Sequence, residues 1–140
     1  MIGRVAVAGV LLLGGCGSVA PRPSVGEAIF FPTHEHTPQT GLPAGAIAGT
    51  LALEDGCLWV VTDDNTPLLA LWPSDFRLET EQGRLIVIGR GGSVPLGGRI
   101  HASGGEYATD QVAFVEQQIS AEIPDACRGR GFWLVGELMD

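Results

Sequence analysis

From residue 46 onward, apolar and polar positions alternate in short runs that glycine, proline and Asp or Asn clusters separate. In the first run Ile47, Leu51 and Leu53 share parity with Gly49, while Thr50 and Glu54 fall on the other face. That alternation marks a half-buried strand. Glu54-Asp55-Gly56 then supplies a tight hairpin turn. The run Cys57 to Val61 is apolar at both parities, which predicts a central strand covered on two sides. Asp63 to Pro67 reads as a loop, and Leu68 to Trp72 as a third strand stopped by Pro73.

A second hairpin follows. Phe76, Leu78 and Thr80 alternate with Arg77, Glu79 and Glu81, Gln82-Gly83 turns the chain, and the β-branched run from Arg84 to Gly89 returns. Val94 to Leu96 and Arg99 to Ala102 are short strand-like pieces between paired glycines, which suit barrel corners and tight turns. One helix is predicted: Thr109 or Asp110 caps it, and Val112, Val115 and Ile119 form its apolar stripe, ending before Pro124. Residues 131 to 138 make the last strand. The fold class is therefore mainly β: a small barrel or curled antiparallel sheet, OB-like or SH3-like, with the late helix plugging one end.

The chain before residue 46 has a different texture. Residues 17 to 45 are rich in glycine, proline, serine and threonine, the composition of a flexible tether with little to bury. One interruption, Ala28-Ile29-Phe30-Phe31, is apolar enough to dock on the domain or form a short edge strand. Ahead of the tether, a positive start with Arg4 leads into about ten apolar or glycine residues. This is the layout of a secretory signal and is too short for the ~20 apolar residues of a spanning helix.

The signal ends in Leu13-Gly14-Gly15-Cys16, which resembles the lipobox of bacterial lipoproteins. The resemblance implies cleavage before Cys16, a diacylglycerol on its sulfur, and anchoring at the extracytoplasmic face of a cell membrane. Each buried methylene contributes ~0.8 kcal/mol, so two or more acyl chains hold stably where one is marginal. The chain then divides into a signal peptide (1–15), a lipid-anchored tether (16–45) and a small β-rich domain (46–140). The stretches GTLALEDGCLWV and LLALWPSDF are also similar to short extracytoplasmic domains of uncharacterised bacterial lipoproteins, a likeness that transfers no site residues.

With Cys16 lipidated, Cys57 and Cys127 are an even pair in an oxidising compartment. A disulfide between them closes a loop of about 70 residues and contributes roughly 4 kcal/mol. Two free buried thiols or a redox pair are the alternatives, and the lack of a C-x-x-C speaks against the second.

Charge narrows the partners. The formal net charge is −8 and there is no lysine. Such a chain is a poor candidate for nucleic acid, which needs basic clusters. Arg128 and Arg130, the nearest approach to a basic patch, read as a solvated turn.

Among possible sites, His34-Glu35-His36 stands first. In an extended chain both imidazoles could face one zinc or copper ion, and His101 could join only if the tether folds back. A polar linker with two neighbouring histidines is the plainer explanation. Asp63-Asp64-Asn65-Thr66 carries hard oxygen ligands but lacks the spacing of a calcium loop, so turn chemistry is preferred. No G-x-S-x-G or H-E-x-x-H occurs, and a pair such as Glu79 and Glu106 would have to meet in space to do acid–base work. No catalysis and no cofactor are expected. Trp59, Trp72 and Trp133 lie in aliphatic runs and predict core or rim packing, whereas two on one exposed face would offer a surface for a sugar or peptide. The reading is a binding or interaction module held at the membrane by lipid, its partner an envelope protein or glycan. The alternative is a metal-binding lipoprotein using His34 and His36.

Overall fold

The structure is a computed structural model that describes residues 29–36 and 44–140. The expected signal peptide (1–15), Cys16, and residues 17–28 and 37–43 of the expected tether lie outside the described residues.

Among the described residues nine strands and one α-helix form: β1 (Thr33–His34), β2 (Gly45–Glu54), β3 (Cys57–Thr62), β4 (Pro67–Pro73), β5 (Arg77–Glu81), β6 (Arg84–Gly89), β7 (Gly92–Pro95), β8 (Arg99–Tyr107), α1 (Val112–Ile119) and β9 (Gly131–Leu138). Local chemistry sets the hairpins. Asp55 (φ 51°) and Gly56 (φ 77°) turn β2 into β3, and Gln82 (φ 51°) and Gly83 (φ 75°) turn β5 into β6. Two consecutive positive φ angles give a turn whose twist matches that of the flanking strands.

Five strands close on themselves in the order β2-β3-β4-β9-β8, with β8 returning to β2. Four seams are antiparallel. The fifth, β4 to β9, is parallel, running from Leu68 beside Gly131 to Leu71 beside Leu134. The result is a five-stranded Greek-key barrel of the OB-like kind. A purely antiparallel curled sheet does not form, because the last strand enters beside β4 in β4's own direction.

Two cores share the barrel wall. One parity points inward: Leu51, Leu58, Ala70, Trp72, Ile100 and Val135, from all five strands, pack together inside. The other parity of β3, β4 and β9 (Trp59, Leu69, Leu71, Phe132, Leu134) packs outward against Val115 and Ile119 of α1. The helix therefore lies on the outer wall and does not plug an end, and strands covered on both faces are apolar at both parities. Its start also differs from expectation. A 3₁₀ turn at Thr109–Gln111 leads into it, and Gln111 Oε1 accepts the Ala108 amide at 2.9 Å in place of a cap by Thr109 or Asp110. Ser120, at φ 52°, ends it four residues before Pro124.

The meander β5-β6-β7 is a separate antiparallel sheet at the end of the barrel where β4 stops and β8 begins. Its Leu85, Val87 and Val94 join the inner core. Backbone bonds fasten it, including Gly97 N–H to Leu51 O (2.8 Å) and Leu138 N–H to Arg90 O (2.9 Å).

Residues 29–36 are part of the domain, although they fall within the stretch read as tether. Phe30 bridges Cys57, and β1 runs parallel to β4 beside Trp72 and Pro73. The reason is apolar: Ile29 and Phe31 pack on the inner core and Phe30 on the outer one. Phe31 stacks on Trp72 at 5.5 Å. No helix of the described residues is long and apolar enough to cross a membrane.

Candidate functional site

His34 is 2% exposed, the one polar side chain among the described residues that is fully buried. Its placement follows from β1: the strand lies along β4, and its side chain reaches across to β9. His34 Nε2 stands 2.8 Å from the Val135 carbonyl, and Nδ1 accepts the His36 amide at 3.1 Å. An acceptor at Nδ1 requires the proton to sit on Nε2, which donates to Val135. Burial pushes the His34 pKa below its ordinary 6.5, because a charged imidazolium there would lose its hydration.

The neighbouring His36 turns elsewhere. Its Nε2 pairs with Oε1 of Gln118 on α1, and the two imidazoles are 5.8 Å apart between centroids, tilted by 40°. Glu35 accepts the Ser74 hydroxyl at 3.0 Å. The two imidazoles are thus not aimed at one ion, the alternative weighed for His34 and His36, since both His34 ring nitrogens are committed to backbone. His101 stays apart, exposed on β8 with Nδ1 3.3 Å from the Asp140 carbonyl. No group of three or more His, Cys, Asp or Glu side chains among the described residues is placed to hold a metal ion.

Cys57 and Cys127 have the geometry of a disulfide, with Sγ atoms 2.00 Å and Cα atoms 5.6 Å apart, both buried in the outer core. The link ties the start of β3 to the turn Asp125–Cys127 that precedes β9. Beside it, Arg128 is a hub and not a solvated turn residue. Its Nε donates to Ile123 O at 2.7 Å, and its terminal nitrogens reach Glu116 (3.6 Å), Glu122 (3.5 Å) and Asp125 (3.7 Å). Arg130 lies over the ring of Trp59 at 5.1 Å. Sequence reading missed Arg130 because its partner Trp59 is set by the return of the chain over β3, whereas Arg128 takes its partners from α1 and the segment that follows it.

The remaining candidates are structural. Arg99 grips Asp63 with two hydrogen bonds and holds its carboxyl below the usual range, and the Thr62 hydroxyl does the same for Asp64. Asn65 sits at φ 64° in the same turn. Glu79 pairs with Arg77 on the meander, while Glu106 is on β8 in the barrel beside Trp133, so the two lie on separate sheets. All three tryptophans are buried, which removes the exposed aromatic face. The ring N–H groups of Trp59 and Trp72 have no hydrogen-bond partner among the described residues.

OB barrels bind oligonucleotides and oligosaccharides on the face around their second and third strands. Here the second and third barrel strands are β3 and β4, and α1 and Ile123 cover their outer face. Compared with protein-family models, curated proteins and solved structures, the chain matches none.

Proposed function

We propose that this chain is a lipid-anchored extracytoplasmic module that binds or displays, and does not catalyse. The observation that carries the reading is the pairing of Cys57 with Cys127. It accounts for two of the three cysteines, and the third is Cys16 of the lipobox, the residue that would take the acyl groups. A buried disulfide also suits an oxidising compartment outside the cytoplasm. The polar groups of the candidate sites are spent on one another or on backbone, so recognition belongs to the outer surface. An envelope protein or a glycan is the partner class. Nucleic acid is disfavoured by the charge of −8 and by the helix over the face that OB barrels use.

The test is the intact mass of the protein taken from its own membranes, with and without reduction and alkylation. The expected species is residues 16–140 plus acyl groups, with two cysteines that alkylate only after reduction. Full-length chain carrying three freely alkylatable cysteines would overturn the anchor and the compartment together. Cross-linking in intact cells then reads the other half of the proposal. A specific envelope adduct supports a binding role, and recovery of the lipidated protein alone removes it.

A further inference from the structure

The segment 29–36 crosses the end of the barrel on few bonds. Phe30 N–H donates to Gly56 O (2.7 Å), Trp72 N–H to Pro32 O (3.0 Å) and Ser74 N–H to His34 O (2.9 Å). Strand pairing is two residues long. The one side-chain bond that the segment sends deep into the barrel wall is that of His34 to Val135.

We propose that residues 29–36 form an acid-released strap: uncharged His34 locks the segment across the barrel end, and protonation of its ring frees it. Docking and proton binding exclude each other on geometry. A second proton on Nδ1 would point at the His36 N–H, donor against donor, and the cation would sit in a site closed to bulk solvent. The charged or titratable groups facing His34 are Glu35 and His36 of its own segment. The packed elements contribute peptide groups, Leu71 of β4 and Val135 of β9, and α1 contributes the neutral Gln118 beside His36. Glu35 favours the cation, but it is solvent-exposed and already bonded to Ser74. Burial lowers the His34 pKa, in agreement with the geometry.

The sign follows from linkage. The docked strap binds the proton less readily than the free one, so docking is complete above the free histidine value of 6.5 and weakens as pH falls below it. The weakening is about tenfold per pH unit until the docked pKa is reached. Release strips Phe31 from Trp72 and Phe30 from the outer core. In a chain anchored at Cys16, it would also return eight residues to the tether, up to about 28 Å of extra reach. That last consequence rests on the anchor proposed above, whereas the strap does not.

The experiment is amide hydrogen exchange on the full chain in detergent at pH 7.5 and 5.0, corrected for intrinsic rates. The amides of Phe30, Trp72 and Ser74 should lose roughly ten- to thirtyfold in protection at pH 5.0, while the β2–β3 ladder around Leu51 and Val60 is unchanged. His34→Gln keeps a donor for Val135 and an acceptor for the His36 amide without titrating, so its strap should stay protected at both pH values. His36→Gln should respond as the parent does. Equal protection of the parent strap at both pH values overturns the proposal, as does a response that His36→Gln abolishes and His34→Gln retains. If His34→Gln cannot dock even at pH 7.5, ¹⁵N shifts of the parent's His34 ring decide. Strap opening that tracks ring protonation supports the lock, and opening at a different pH refutes it. Loss of lipid or of partner binding changes none of these readings.

Discussion

Gly104 occupies a place that no other residue could take without rearrangement. Its φ is +141°, and a Cβ built there would lie 1.8 Å from the Leu134 carbonyl oxygen. It stands where the β8–β9 register jumps, from Ala102 beside Leu138 to Gly104 beside Val135, and Val135 is the residue whose carbonyl receives His34. Gly104→Ala should therefore cost about 2–4 kcal/mol. Gly83→Ala, at φ +75° in open space, should cost only about 1 kcal/mol for its backbone strain. Urea unfolding at constant m separates the two, and equal losses would refute the steric account. That Gly104 stands at a corner or tight turn was legible in the paired glycines of the sequence. Which carbonyl it approaches was not, because a register jump is set by a strand thirty residues away. His34 was read in a polar linker for a related reason: its burial comes from Phe30 and Phe31 docking, and short apolar runs do not say which surface receives them.

At the scale of elements, α1 is too short to persist alone. Eight residues is below the ~12–15 at which isolated helices become marginal in water, so packing and the covalent link must hold it. Cys57→Ala/Cys127→Ala removes a link spanning 70 residues and should lower stability by about 4 kcal/mol. Denaturant melts of the two proteins check the magnitude. Exchange should rise most in α1 and the turn at Asp125–Cys127, and a uniform rise would show that the link does not act there. The strands were legible because alternation reports a covered face directly, and the two-faced run of β3 signalled cover on both sides; that β4 and β9 are covered likewise appears only in the structure. The position of the helix was harder. Its stripe of Val112, Val115 and Ile119 says which side of the helix is apolar, but both the barrel's end and its outer wall could receive that side.

For the molecule as a whole, the barrel depends on β9. This strand lies between β4 and β8 and supplies Trp133 and Val135 to the inner core and Phe132 and Leu134 to the outer one. A chain ending at Arg130 loses two seams and part of each core at once. It should show no cooperative unfolding transition by circular dichroism, and a residual sharp transition would mean that the remaining strands close without it.

The parallel seam also has a consequence in time. Hairpins such as β2–β3 can form within microseconds, since their partners are a few residues apart. Leu68 meets Gly131 only after a loop of roughly sixty residues has closed, an entropic cost that must be met before any seam contact repays it. Refolding of the disulfide-free chain should accordingly fall in the slow millisecond-to-second range of high-contact-order β domains. Until the seam closes, the apolar wall of β4 stands open, and the chain is most exposed to other chains at that stage.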